Sequence, residues 1–391
     1  MKKIIITTFL FVSAFAAGGQ SISWNINSGT LTISGNANMP DYYIGFPAPW
    51  WSEASSIEHI KIENGIKNIG RAAFSSCTNL VSVDIPETVS VIGEGAFESC
   101  TKLFSIEIPG SVTEIKPAAF LFCSNLRSVS LPNSVQTLGM EAFYGCTLLG
   151  NVVLSDAITE IAVRTFTNCV NLVSVKLPEM LTKIDTVAFY DCRNLNTIEI
   201  PKTVETIGDW SFWKSGLQSI NIPDGVIDIG NGAFAESKSL ASVNIPISVK
   251  NIGEAAFYNC TSLKNVTVYW TNLDDVYCSP DFAFYLIHSN SALHVPLGMA
   301  SMYEDSIWGM YFNAVRDDVL GFTALRDDNI SVYVKDRVIV VENPLETMIS
   351  LYDVQGRLHI ASSGKTVQFP VSSYGIYVLK TPDAAIKILV E

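Results

Sequence analysis

The chain has 391 residues, is 48% hydrophobic and 16% charged, and carries a formal net charge of -13. That charge excludes nucleic acid as a partner, because neutralising phosphates needs a basic surface. The hydrophobic fraction excludes a disordered chain, and the length allows more than one folded unit.

The chain opens MKKIIITTFLFVSAFAAGG. Two lysines, an apolar run from Ile4 to Val12 and small residues around Ala16 read as a secretory signal peptide over 1–17, not a membrane span. No other segment is long and apolar enough to form a transmembrane helix. The mature chain is therefore expected outside the cytoplasm. Residues 18–56 are expected to form an N-terminal β cap. SWNINSGTLTISG reads as a hairpin turning at Asn27-Ser28-Gly29. Trp24, Trp50 and Trp51 are expected to lid the first coil, since the end of a solenoid must be covered.

Residues 57–270 repeat themselves. A Phe recurs at Phe74, Phe97, Phe120, Phe143, Phe166, Phe189, Phe212, Phe234 and Phe257, in steps of 23 residues except the step of 22 from Phe212 to Phe234. Three residues after it stand Cys77, Cys100, Cys123, Cys146, Cys169 and Cys192, then Ser215 and Ser237, then Cys260. In LVSVDIP, Val83 and Ile85 alternate with Ser82 and Asp84, which is strand periodicity. Pro86 removes a ladder donor and ends the strand. Phe97, Cys100 and Leu103 are three apart, the spacing of a short helical turn. A single coil cannot bury this face alone, so the pattern predicts a solenoid of leucine-rich-repeat type, with parallel strands stacked about 4.8 Å apart.

Eight cysteines in an exported chain suggest disulfides by number alone. Neighbouring coils would hold parallel Cβ vectors farther apart than a disulfide prefers. The row is therefore expected to be buried free thiols in the Phe interior. A line of thiols is also not a tetrahedral metal cluster. Cys278 lies outside the row, and its state, free or paired, stays open.

The exposed strand rows mix small polar residues with both signs of charge, so they name no charged ligand. A third row, one place after the Phe, holds Leu121, Tyr144, Tyr190, Trp213 and Tyr258. Trp210 and Trp213 flank Phe212 in the shortened coil. Tyr144, Tyr190, Trp210, Trp213 and Tyr258 are the candidate ligand-binding patch, because exposed aromatics bury large area at little entropic cost. The competing reading is that the tryptophans fill space left by the deleted residue and by the missing sulfur at Ser215. No cofactor, metal or catalytic site is expected. His59, His288, His294 and His359 are scattered, and no nucleophile or phosphate-loop motif is present.

Residues 271–320 read as a degenerate repeat and a C-terminal cap, with a last strand and short helix in ALHVPLGMASMYEDSIWGMYF. Residues 321–391 change texture to short alternating runs. Turn signals at Asn343-Pro344, Gln355-Gly356 and Ser363-Gly364 separate them, as in a small all-β sandwich.

The repeats, as in IEIPGSVTEIKPAAFLFCSNL, resemble the BspA-like bacterial surface leucine-rich repeat family. So do SGTLTISGNANMPDY with Pro49-Trp50 and the closing HVPLGMASMY segment. LYDVQGRL and GIYVLK resemble C-terminal sorting domains of type IX secretion. The resemblance implies a non-enzymatic secreted or outer-surface protein of a Gram-negative bacterium. It implies an adhesin-like solenoid that binds a host matrix or cell-surface protein and meets export machinery through its tail. A carbohydrate-binding accessory protein, with a glycan as partner, and a purely structural surface component stay open beside it.

Overall fold

The computed structural model describes residues 12–15, 21–296, 298–319, 331–335, 338–342, 348–353, 357–371, 375–380 and 385–390. The signal peptide expected over 1–17 lies outside these residues except for Val12–Phe15, a strand antiparallel to the start of Ser21–Asn27. The chain divides into two compact units. The first holds Met1–Val266, Asn272–Ala292 and Ile307–Ala314, and the second holds Thr267–Thr271, Leu293–Ser306 and Val315–Glu391.

The first unit is a parallel solenoid. Most coils contribute a strand whose alternate residues point inward, as in His59–Ile62, where Ile60 and Ile62 are buried and His59 and Lys61 exposed. These strands pair in parallel without register shift: His59 faces Ser82, and Ser128 faces Asn151, which faces Ser174. A second row of two-residue strands runs beside them in two parallel sheets, from Asn68–Ile69 to Thr137–Leu138 and from Glu160–Ile161 to Tyr277–Cys278. The hairpin Ser21–Asn27 and Thr30–Gly35 starts the stack, with Thr30–Ile33 pairing in parallel to His59–Ile62.

The third side of each coil is an arc of linked turns. In one coil Ala119, Leu121 and Cys123 donate their N–H groups three residues back, to Lys116, Ala118 and Phe120. The alternate residues Ala118, Phe120 and Phe122 donate to Met140, Ala142 and Tyr144 of the next coil. This is how the expected short helical turn is realised. The geometry places Ala118 at φ 57° and Phe122 at φ 58°, and the same two positions recur with positive φ in other coils. Non-glycine residues enter that region at a cost. Every coil meets it because the alternation leaves no arc N–H without a partner.

Side chains staple the coils further. In several coils the hydroxyl before the core valine donates to a carbonyl one coil back: Ser111 to Val89 at 2.6 Å, Ser134 to Val112 at 2.7 Å and Thr203 to Leu181 at 2.7 Å. Asn125 and Asn171 do the same from the turn before the strand, at 2.7 Å each.

The interior is a column of rings. Phe74 through Phe257 are fully buried and stack ring on ring at 5.2–5.7 Å. Most planes lie within 12° of parallel. Trp50 opens the column, 5.8 Å from Phe74, and its indole N–H donates to the Ala73 carbonyl at 2.7 Å. Phe284 extends it at 4.9 Å from Phe257, past the point where the repeat decays in sequence. Trp308, Tyr311 and Phe312 close around Phe284. Trp24 packs edge-on to Trp50 at 6.0 Å. Trp51 does not join the lid; it is 52% exposed.

All eight cysteines are free and buried. Their packing holds more than hydrophobic contact. Cys100, Cys123, Cys146, Cys169, Cys192 and Cys260 each aim Sγ at the carbonyl of a column Phe one coil back, at 3.1–3.3 Å. Ser237 makes the same bond to Phe212 at 3.0 Å, and Ser215 meets Ser237 at 2.9 Å. The position therefore asks for a small donor, which explains why serine replaces cysteine there. Cys278 faces Ile252 in the second row of strands and stands where other coils carry isoleucine or leucine.

The long-strand ladder is interrupted twice. Residues 103–108 and 195–200 form no strand, and these coils are the two that read Ile-Glu-Ile-Pro. Beside the second, a cavity of about 450 Å³ opens between Ser174–Leu177 and Thr197–Ile200.

In the second unit, Tyr303 on the short helix Ala300–Glu304 donates its hydroxyl to the Trp270 carbonyl at 2.9 Å. Its C-terminal part is two antiparallel sheets. One orders Ser331–Lys335, Val338–Glu342 and Thr366–Pro370. The other orders Leu358–Ser362, Ile349–Asp353, Gly375–Lys380 and Ala385–Val390. Ile339, Leu351, Phe369 and Leu379 from both sheets share one core. Asn343-Pro344, Gln355-Gly356 and the boundary at 321 lie outside the described residues; Ser363-Gly364 does turn the chain.

Two outcomes follow from the column and its thiols. Phe143→Ala should destabilise the first unit by about 3–5 kcal/mol through the cavity it leaves, read as a lowered denaturant midpoint. The row thiols should resist alkylation in the folded chain and react once it is unfolded, read by mass spectrometry. Burial pushes Cys77, Cys123 and Cys260 up to about 12 and Cys100 and Cys146 well above the ordinary thiol range. The unfolded chain releases these protons near pH 8.5, while the folded chain holds them. The thiols' contribution to stability should therefore be constant below about pH 8.5 and fall as pH rises from there toward 12. Cys146→Ser, which keeps the donor and removes the thiol, should flatten that fall; an unchanged pH profile would count against the thiols as its cause.

Candidate functional site

The arc places the residue after each column Phe on the outside. The row runs Glu98, Leu121, Tyr144, Thr167, Tyr190, Trp213, Ala235, Tyr258 and Tyr285. Thr167 and Ala235 are buried and interrupt it. The five candidate aromatics are therefore not one surface. Tyr144 lies edge-on to Phe122 at 5.4 Å and receives an N–H from Asn168 at 3.4 Å. Tyr258 pairs with Tyr285 at 6.3 Å, and Phe282 meets Tyr285 edge-on at 5.3 Å.

Tyr190 and Trp213 are brought together. Their rings stack at 4.2 Å with planes 14° apart, and both are half-buried. The Lys214 ammonium sits 3.8 Å from the Trp213 ring centre. Two groups this close cannot share one face, so both faces of the indole are covered and its edge is what meets solvent. Burial pushes the Tyr190 hydroxyl upward, followed by the nearby Asp191 charge and then Tyr144. Asp191 in turn accepts two bonds from Arg193, at 2.7 and 3.0 Å.

Trp210 points elsewhere. It occupies the positive-φ position of the arc, at φ 56°, and its ring lies over Gly232 of the next coil. A Cβ at Gly232 would stand 2.4 Å from that ring, so only glycine admits the tryptophan there. The outer face of Trp210 is open, at 40% exposure.

Neither tryptophan fills the space of the deleted residue. The deletion falls between Ser215 and Leu217, where Gly216 alone replaces the pair Arg193-Asn194 of the coil before. A Cβ on Gly216 would stand 2.2 Å from the Arg193 carbonyl oxygen, so the shortened turn closes on glycine. The missing sulfur is replaced by the Ser215–Ser237 hydrogen bond.

A second feature went unread in the sequence. The loop after the hairpin folds back at Tyr43 and Phe46, which exchange backbone hydrogen bonds of 3.0 and 2.8 Å. A cavity of about 730 Å³ lies between this loop and the first coils. Tyr43, Ile44 and Trp51 line it from the loop, and Ala72, Gly95 and Ala118 from successive arcs. Two signals pointed to it: aromatic density in DYYIGFPAPWW, and small residues at one arc position in three successive coils. Among the described residues no group of three or more His, Cys, Asp or Glu is placed to hold a metal ion. No described helix is long and apolar enough to cross a membrane.

The family model for the BspA type leucine-rich repeat region matches residues 50–172 and 159–277, in six copies. The chain belongs to this family. A leucine-rich repeat protein from Bacteroides ovatus shares its fold at 22% identity and a TM-score of 0.59, over 81% of this chain and 88% of that one. A leucine-rich cell surface protein from Faecalibacterium prausnitzii aligns at 24% identity and a TM-score of 0.43, over 79% and 95%. The pneumococcal vaccine antigen PcpA aligns at 18% and 0.46, over 79% and 99%. No curated protein matches the chain. The BspA-type match covers the stacked coils and assigns no ligand to them.

Proposed function

We propose that this BspA-type protein is exported to the surface of a Gram-negative bacterium and works there as a non-enzymatic, adhesin-like binder of a host matrix or cell-surface protein. One observation carries the reading. Tyr190, Trp213 and Lys214 form a rigid outward cluster at the shortened coil, where Gly216 and the Ser215–Ser237 bond already satisfy the packing. The cluster is not needed to fill the interior, and rigid aromatic anchors beside a cation suit a protein interface. The covered faces of Trp213 disfavour a sugar ring stacking on it. The open face of Trp210 supports a glycan-binding role as the second reading. Tyr144 and Tyr258, each in its own aromatic pair, flank the cluster as secondary contacts.

Residues 321–391 are proposed to serve export or attachment and residues 1–17 to direct secretion. The family match and the separate C-terminal core support this division.

A matrix-protein panel and a glycan array on the mature chain test the two readings. Trp213→Ala should weaken protein binding at least about tenfold and leave the melting midpoint nearly unchanged. Loss of stability with binding retained would return Trp213 to a packing role. Trp210→Ala should matter only for a glycan. Deleting the tail should leave a folded solenoid that stays within the cell envelope of the native host; normal surface display of the shortened chain would remove the sorting role.

A further inference from the structure

We propose that the cavity between the N-terminal loop and the first three coils is a second binding site, which takes a peptide segment presenting a large apolar side chain beside a lysine or arginine. It does not rest on the Tyr190–Trp213 cluster, which lies three coils and more farther along the stack.

The apolar half of the preference comes from the loop. Trp50, its neighbour in sequence, is buried in the ring column, and Tyr42 packs on it edge-on at 5.7 Å. Those two residues and Trp24 form the lid. Tyr43, Ile44 and Trp51 add nothing to it: Ile44 is fully exposed at the tip of the turn, and Tyr43 and Trp51 are 61% and 52% exposed. The loop therefore holds large apolar side chains in water around a cavity whose opposite side is built from Ala72, Gly95 and Ala118. In the next four coils the same arc position carries Glu141, Arg164, Val187 and Trp210, which would fill such a space; it is small again only at Gly232 and Ala255, far from the loop. The volume, about 730 Å³, is in the range of pockets that enclose ligands of a few residues.

The basic half comes from the rim. Arg71, Glu94 and Glu98 line the cavity. Arg71 is already paired with Glu94 at 3.0 Å, and its backbone N–H is held by Asp41 at 2.7 Å. Glu98 forms no ion pair among the described residues. The rim thus carries one uncompensated negative charge on a chain of net charge -13, and aromatic rings stand beside it. Both favour a cation next to the apolar anchor. Tyr42 also lines the cavity, and its hydroxyl is buried without a hydrogen-bond partner among the described residues, a buried polar group that calls for one. Burial alone holds that hydroxyl well above the ordinary tyrosine range, so it is a neutral donor and acceptor at working pH.

The test is an array of peptides about nine residues long, varied at two central positions and probed with the mature full-length protein. Peptides with Phe, Leu or Trp beside Lys or Arg should be retained, and the same peptides with Glu in place of the base should bind at least about tenfold more weakly. Ile44→Ser alters an exposed side chain and Glu98→Gln is isosteric at a half-buried one, so both should leave the melting midpoint in place, and each should reduce retention about tenfold. Trp213→Ala should leave the pattern intact. Retention without regard to the apolar-basic pair, retention of none of the peptides, or an unchanged pattern in both Ile44→Ser and Glu98→Gln overturns the proposal. Loss of the pattern in Trp213→Ala would assign the peptides to the other site and overturn it as well.

Discussion

Ring-on-ring stacking of the interior phenylalanines is the contact on which the rest of the solenoid depends. A centroid spacing near 5.3 Å is wider than the roughly 4.8 Å rise of paired strands, so successive rings are offset along their planes. A coil can join this column only if its ring arrives at the same point in space. That demands a constant path length around the coil. The positive-φ arc residues, the hydroxyl staples and the cysteine-to-carbonyl contacts are all ways of holding that path.

The shortened coil shows how narrow the tolerance is. Removing one residue keeps Phe212 in the column only because Gly216 lets the turn press against the Arg193 carbonyl and because two serines bond where sulfur stood. The inner accounts are closed there. What is left over is an outer surface freed from the repeat, and it carries the stacked Tyr190 and Trp213. The N-terminal end has the same logic. Trp50 satisfies the open end of the column, and the loop that delivers it leaves Tyr43, Ile44 and Trp51 outside. The two surfaces proposed for binding lie where the stack begins and where its period slips, since elsewhere each position is claimed by its neighbours.

Much of this architecture was legible from spacing. A Phe every 23 residues, a Pro ending each strand and Val or Ile alternating before it dictate stacked parallel strands, because no single coil has enough neighbours to bury its own Phe. Free thiols were legible too, from the distance between coils. Their hydrogen bonds were not, since nothing in the order of residues says which carbonyl a sulfur will face. Phe284 and Trp308 were hidden because the period stretches to 27 residues after Phe257, and only the column shows that the ring still lands in place.

The candidate site divides in the same way. Sequence alone placed Tyr144, Tyr190, Trp213 and Tyr258 one residue after a column Phe and Trp210 two residues before Phe212, which pointed the row outward by local backbone period but left open whether the tryptophans fill the shortened coil. It also determined the repeat class, since period is a property of the chain itself. Which of those aromatics touch was decided by tertiary structure. Thr167 and Ala235 break the row into pairs, and Gly232 leaves room for the Trp210 ring to lie on the next coil, because contact between coils depends on the neighbour's side-chain volume rather than on spacing along the chain. The cavity at Tyr42, Ile44 and Trp51 was decided there as well. Its two sides come from an irregular loop and from small arc residues more than twenty positions apart, and only the stacking of coils brings them face to face.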